Sequence, residues 1–168
     1  MEIVMGLLTT IIITCLVACA VNVVESIKEE RIKSRSISLD NSVELSKLPI
    51  ISFWNGARRF NFLLDTGSSL SLINKRELDK FFYEEAEGKG QMYGVDGKIQ
   101  DNNQLVNVTL TYNGEDFKER FQVVDISAAC NNFAQTYDME LHGILGNSFF
   151  TEYNFVLDFN RMIAYPAV

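Results

Sequence analysis

A carboxylate placed between two apolar runs, within residues 60–74, is the feature that most constrains what this chain can fold into. The first run, Phe60–Leu64, is rich in aromatic residues and predicts a buried strand, and a second apolar run covers Leu70–Ile73. Asp65 ends the first run, and a charge at that point costs free energy unless neighbouring groups satisfy it. We expect a strand, an acid, a tight polar turn and a second strand that together hold the acid rigidly in a cleft.

The residues after Asp65 have the chemistry that such a turn needs. Gly67 permits a sharp turn, and the hydroxyl groups of Thr66, Ser68 and Ser69 are potential hydrogen-bond donors. An Asp-Thr-Gly tripeptide alone is equally typical of a surface turn in which the aspartate caps its own backbone. The tripeptide alone leaves both interpretations open.

A second motif about eighty residues later changes this balance. Ile144-Leu145-Gly146 precedes a short predicted helix and a final pair of strands, 155–159 and 162–165. The two motifs, in this order, resemble the retropepsin-like aspartic proteases, and the resemblance covers residues 48–166. It implies an all-β fold, a closed and mostly antiparallel domain with one or two short helices. It also implies that the Ile144-Leu145-Gly146 strand crosses beneath the active-site loop in a psi-shaped core.

The resemblance assigns roles to the residues of the first motif. Asp65 would be the catalytic carboxylate, and Thr66 would form a hydrogen bond across a dimer. Gly67 would place a backbone N–H group near the carboxylate, Ser68 would donate to its outer oxygen, and Ser69 would complete the loop.

A glycine-rich segment after the first motif is the candidate flap. Four glycines lie within residues 88–97, and Asp96-Gly97 is a hairpin-turn signal. An ordinary surface hairpin would have the same pattern. In the aspartic proteases a hairpin flap closes over the substrate at this point of the chain, which implies a flap and substrate-binding role for Tyr93, Gly94, Val95, Asp96 and Gly97.

The single Asp-Thr-Gly motif predicts a homodimer. Hydrolysis by this family requires one ionised aspartate to activate a water molecule and one protonated aspartate to polarise the carbonyl group, and two adjacent carboxylates share a proton. Because Asp125, Asp138 and Asp158 lack the Thr-Gly context, we expect Asp65 from each of two chains. The predicted activity is endopeptidase cleavage of a peptide or protein substrate without a cofactor. A non-catalytic peptide-binding or scaffold module of the same fold remains an alternative, as does an unrelated lipoprotein β-domain.

Composition excludes several other function classes. The net charge of −7 and the sequence pI near 4.7 argue against a nucleic-acid partner. A single histidine, His142, argues against a histidine-rich metal site or a serine–histidine–aspartate triad, so no metal is predicted. Three cysteines provide no disulfide framework, and Cys130 is expected to pack among small residues.

The N-terminus predicts attachment to a membrane. Residues 3–24 contain no charge and are long enough to span a bilayer as a helix. A cleaved signal peptide would require a basic segment that Met1-Glu2 lacks, whereas residues 16–19 resemble a bacterial lipobox with Cys19 as the lipidated residue. We expect a membrane-anchored protein of bacterial origin, with a single span as the first interpretation and a lipoprotein as the alternative.

The sequence also predicts the orientation and the domain organisation of the protein. Four basic residues within 28–35 favour a cytoplasmic position for the domain, while a lipoprotein would require the other side. We predict an anchor over 1–24, a charged tether over 25–47 and a protease domain over 48–168.

Within this domain we predict a hairpin that turns at Asn55-Gly56, a short helix capped by Asn74 and a hairpin that turns at Asn113-Gly114. Residues 125–141 show weak periodicity and predict no element.

Overall fold

The computed structural model describes residues 2–88, 90–93 and 99–167, with side chains described for residue 6 and residues 12–88 and 104–167. One compact unit extends from Ile37 to Ala167, and the residues up to Ser36 form another. The second of these contains a single helix, α1 (Glu2–Arg35). Where side chains are described, no helix combines the length and apolar character needed to cross a membrane. The span predicted over residues 3–24 is therefore not confirmed, and its residues 3–5 and 7–11 lie outside the described side chains.

A seven-stranded sheet forms most of the larger unit. Its strands are β2 (Ile50–Asn55), β3 (Arg58–Leu64), β4 (Ser71–Asn74), β5 (Tyr83–Glu85), β8 (Leu105–Tyr112), β9 (Glu115–Val124) and β10 (Gly143–Leu145). They lie in the order β2, β3, β10, β4, β9, β8 and β5, and β2 also pairs with β8 through Trp54 and Thr111, which closes the sheet on itself. This closed sheet agrees with the predicted mainly antiparallel β domain.

Two smaller sheets accompany the closed sheet. One contains β1 (Ile37–Ser38), β12 (Ile163–Pro166) and β11 (Phe155–Asp158), in that order. The other is an antiparallel hairpin of β6 (Gly90–Tyr93) and β7 (Ile99–Asn103). Of the residues predicted to form a flap, Tyr93 ends the first of these two strands, whereas Gly94, Val95, Asp96 and Gly97 lie outside the described residues.

The domain is more helical than the sequence predicted. A 3₁₀ helix, Lys75–Lys80, follows Asn74, whose side chain accepts a hydrogen bond from the Arg76 N–H group, as expected for the predicted cap. Three α-helices complete the unit: α2 (Asp40–Ser46), α3 (Ser127–Tyr137) and α4 (Asn147–Glu152). No helix was predicted for α3, because its buried positions are only Ser127, Cys130 and Phe133. The overlooked signal is Asp125, whose carboxylate accepts from the Ser127 N–H group and satisfies a free donor at the helix start.

Residues 37–47 form part of the folded unit, in contrast to the predicted tether. Strand β1 pairs with β12, and helix α2 follows it directly. Leu39 is fully buried, and the Ser42 hydroxyl accepts from the Ile50 N–H group at the start of β2. A charged, serine-rich sequence concealed this packing because Ser42 and Ser46 are buried and hydrogen-bond to backbone groups instead of facing solvent.

The first hairpin turns one residue later than predicted. Asn55 pairs with Arg58, so the turn residues are Gly56 and Ala57, and Gly56 has a φ of +61°. Asn55 is instead buried: its amide donates to the carbonyl groups of Phe82 and Thr109, and its side-chain oxygen accepts from Phe82 N–H. The Asn113-Gly114 turn is confirmed, with positive φ at both residues.

The core inside the closed sheet is dominated by phenylalanine. Phe53 makes edge-on contacts with the rings of Phe62, Phe117 and Phe149, and the four side chains are almost fully buried. Contacts between these aromatic rings join strands β2, β3 and β9 to helix α4. The core thus fixes the strands and the helix that surround the Asp65 loop.

Candidate active site

The two sequence motifs meet through strand β10. This strand lies between β3 and β4, parallel to the first and antiparallel to the second. Strand β3 ends immediately before Asp65, and β4 begins after the loop at Ser71, so β10 fills the gap that the loop leaves between its two flanking strands. The sheet therefore brings Ile144-Leu145-Gly146 directly beneath the loop, as the predicted psi-shaped core requires.

Asp65 is held at three points. Its N–H group donates to the Leu145 carbonyl oxygen over 3.0 Å, and its carbonyl oxygen accepts from Ser68 N–H over 3.1 Å. Its carboxylate oxygen Oδ1 accepts from the Gly67 N–H group over 2.9 Å. The Asp65 side chain is half-buried, which leaves it accessible to a substrate or a second carboxylate.

The hydroxyl groups of the loop differ from one another in their positions. The Ser68 hydroxyl donates to the Leu70 carbonyl oxygen over 2.7 Å, which corrects the expectation that it donates to Asp65, because a hydroxyl group has a single hydrogen. Thr66 and Ser69 are exposed. The position of Thr66 is compatible with a contact to a second chain.

Helix α4 begins against the other side of the loop. The N–H groups of Asn147 and Ser148 donate to the carbonyl oxygens of Ser68 and Ser69 over 2.7 and 3.2 Å. Gly146, which precedes the helix, has no room for a side chain: an added Cβ would collide with the carbonyl group of Leu70 and lie 2.9 Å from the Ser68 carbonyl oxygen. Gly146 is thus required for close contact, and not only as a residue before a helix.

Comparison with known proteins shows the family of the chain. The family model described as retroviral aspartyl protease matches residues 45–158, which is more than half of the chain. The chain belongs to the retroviral aspartyl protease family. Thirty-three chains of solved structures match it, among them the EIAV protease complexed with the inhibitor HBY-793. That match has 22% identity and a TM-score of 0.47, and covers 66% of this chain and 91% of the other. No curated protein matches.

Membership of the retroviral aspartyl protease family makes the other aspartates relevant, because the reaction of this family uses two. The Asp125 carboxylate accepts from the Ser127 N–H group at the start of α3, and Asp138 ends the same helix in a left-handed conformation. The Asp158 carboxylate accepts from the N–H groups of Asn160 and Arg161 in the turn after β11. Each of the three has a local structural role outside the Asp65 loop, so none is a candidate second acid.

His142 also has a structural role in this retropepsin-like domain. It is buried, and its Nδ1 atom accepts from the Asn61 N–H group over 3.1 Å. Burial lowers the pKa of the imidazole, although the nearby carboxylates of Glu77 and Glu140 act in the opposite direction. Among the described residues no group of three or more metal-ligating side chains occurs.

Sequence reasoning missed a buried polar group beneath the loop. Glu119 is 4% exposed, and its Oε1 atom accepts from the Ser148 hydroxyl over 2.7 Å. Ser71 is fully buried, and its Oγ atom accepts from the Gly146 N–H group over 3.0 Å. The signal was available: with a period of two along β9, Glu119 shares a face with the core residues Phe117 and Phe121.

Proposed function

We propose that this protein is a homodimeric aspartic endopeptidase in which Asp65 from each of two chains forms the catalytic pair. The observation that supports it most is the attachment of Asp65 to the Leu145 carbonyl group and the Gly67 N–H group, in a chain of the retroviral aspartyl protease family. These bonds fix the backbone and one carboxylate oxygen, and leave the other oxygen for a partner or a water molecule. Holding a reacting group in one orientation is a main source of rate enhancement.

The second chain is required by the chemistry. Two carboxylates held close together cannot both ionise, so the pair would share one proton and titrate as a unit. The ionised member would remove a proton from water, and the protonated member would donate a hydrogen bond to the substrate carbonyl group. Asp125, Asp138 and Asp158 have local structural roles, and Asp65 is the one aspartate of the sequence that is followed by Thr-Gly. We therefore assign the second acid to a second copy of this loop.

The β6–β7 hairpin is proposed as the flap over the substrate. It follows β5 and forms a two-stranded sheet that is separate from the closed sheet. A hairpin with a strand pairing of its own can move without breaking the main sheet. Tyr93 is the last residue of its first strand.

Membrane attachment through residues 3–24 is a proposal from the sequence, independent of the peptidase assignment. The uncharged run of apolar residues supports it, whether the segment spans the membrane as a helix or is attached through a lipid on Cys19. Fractionation of cells that express the full chain tests it: we expect the protein in the membrane fraction, and recovery in the soluble fraction would refute it.

A cleavage assay tests the peptidase proposal. The full-length protein is incubated with a mixed peptide library from acid to neutral pH, beside Asp65→Asn and the control Asp79→Asn. Asp79 is an exposed aspartate of the 3₁₀ helix, so its substitution makes the same chemical change away from the loop. We expect cleavage by the parent and the control and none by Asp65→Asn. A folded, dimeric parent that cleaves nothing would support the peptide-binding alternative instead.

A further inference from the structure

Glu119 is a buried carboxylate without a cationic partner in the part of the chain that the structure describes. Burial raises the pKa of this carboxyl group, and hydrogen bonds from Ser148 and Ser71 act in the opposite direction. Glu152 lies close enough to raise it further, and the Tyr153 hydroxyl group is also near. Strand β8 pairs with it through the apolar residue Val108. Burial of such an acid costs free energy, so the groups that hydrogen-bond to Glu119 indicate what its burial contributes to the fold or to the site.

A directed chain of hydrogen bonds connects Glu119 to the active-site loop. The Ser148 hydroxyl uses its single hydrogen on Glu119, and the Ser71 hydroxyl donates its own hydrogen toward the same carboxylate, either directly or through the Ser148 oxygen that lies 3.4 Å away. The Ser71 oxygen in turn accepts from the Gly146 N–H group. The three bonds point in one direction, toward the carboxyl group, and bonds in such a chain polarise one another.

The chain ends at the peptide group that supports Asp65. The N–H group of the Leu145–Gly146 peptide donates to Ser71, and the carbonyl oxygen of the same peptide accepts from the Asp65 N–H group. A peptide group is planar, so rotation of one end displaces the other. The orientation of this peptide is thus tied to Glu119 on one side and to Asp65 on the other.

We propose that Glu119 is a positioning residue for Asp65. It acts through the hydroxyl groups of Ser148 and Ser71 and then through the peptide group between residues 145 and 146. The ionised carboxylate orients both hydroxyl groups toward itself. When it takes up a proton from solvent, the charge that orients them is lost, and the support beneath Asp65 changes. The inference rests on the proposed peptidase function for its catalytic consequence, but not for the coupling itself.

The coupling is tested by amide titration of the full-length protein. Backbone ¹⁵N resonances of residues 65 and 146 are followed with pH in an Asp65→Asn background, which removes the titration of Asp65 itself. We expect both amides to shift with one midpoint, above the ordinary carboxyl value of 4.5. Glu119→Gln should abolish this shift, whereas Glu84→Gln, a change at a carboxylate whose side chain is 74% exposed, should preserve it. Amides that do not titrate, or that titrate unchanged in Glu119→Gln, would overturn the proposal.

A second variant covers the case in which Glu119→Gln does not fold. Ser71→Ala removes the middle of the chain and keeps the acid, so the Glu119 carboxyl should still titrate while the residue 146 amide stops responding. Continued response of that amide would overturn the proposal. In the active enzyme, Glu119→Gln should remove one ionisation from the pH profile of kcat and leave KM unchanged. An inactive parent with coupled amides would refute the proposed function only, and an active parent with uncoupled amides would refute this inference only.

Discussion

Replacement of Gly146 by alanine tests the close contact between the two motifs. The added methyl group would collide with the Leu70 carbonyl group and lie 2.9 Å from the Ser68 carbonyl oxygen. Both groups are backbone atoms of the active-site loop, so no side chain can rotate to make room. The φ of Gly146 is −92°, a value open to any residue, and the whole effect is therefore steric.

The size of the effect follows from what must move. Overpacking of a tight site costs about 2 kcal/mol. Separation of the loop from α4 also weakens the bonds from the N–H groups of Asn147 and Ser148, each worth about 1 kcal/mol. Partial relaxation gives an expected loss of about 3 kcal/mol in the free energy of unfolding, or about 10 °C in the melting temperature for a chain of this length.

Thermal unfolding monitored by circular dichroism measures this loss, with Asn147→Ala as the matched control. Asn147 is the exposed neighbour of Gly146, and its substitution keeps the N–H group that bonds to Ser68. We expect the control to unfold within about 2 °C of the parent. A Gly146→Ala protein that matches the control would refute the argument that this glycine is required for contact with the loop.

Three further predictions concern other buried polar groups. Asn55→Ala removes three hydrogen bonds between a buried side chain and backbone groups, and it should lower the free energy of unfolding by about 3 kcal/mol in chemical denaturation. A loss below about 1 kcal/mol would contradict the role of Asn55. Gln122 is 1% exposed, and its side-chain amide has no hydrogen-bond partner in the described structure. Gln122→Met should therefore raise the free energy of unfolding by about 1 kcal/mol, and a decrease in that free energy would contradict the prediction. Because burial lowers the pKa of His142, the imidazole binds a proton more readily in the unfolded chain than in the folded one. The contribution of His142 to the free energy of unfolding should be complete above pH 6.5 and be lost as the pH falls through the lowered pKa of the folded state. His142→Asn should reduce this dependence of stability on pH, and an unchanged dependence would contradict the prediction.

The sequence predicted the meeting of the two motifs better than it predicted the elements around them. Asp65 and Gly146 belong to motifs whose local chemistry restricts the backbone, and the structure brings both motifs together through β10. Asn55 shows the limit of local reasoning. Asn-Gly is a strong turn signal, but the bonds that place Asn55 in the core go to residues 27 and 54 positions away. Distant contacts of this kind cannot be read from a turn motif.

The features that were missed have a common cause. Residues 37–47 and helix α3 lack strong apolar periodicity, because some of their buried positions are serines, which hydrogen-bond to backbone groups or to the Asn74 side chain. The role of Glu119 was concealed by the charged residues on either side of it in β9, which face solvent while it faces the core. Polar residues that are buried because they are hydrogen-bonded resemble surface residues in a sequence.

The most direct test of the central claim is the activity of mixed dimers. Parent and Asp65→Asn chains are co-expressed in known ratios, and cleavage of one peptide substrate is measured at constant total protein. If each site takes one Asp65 from each chain, activity follows the square of the parent fraction, and an equal mixture retains about a quarter of the parent activity. Activity in direct proportion to the parent fraction, about half in the equal mixture, would show that one chain suffices and would contradict the shared catalytic pair.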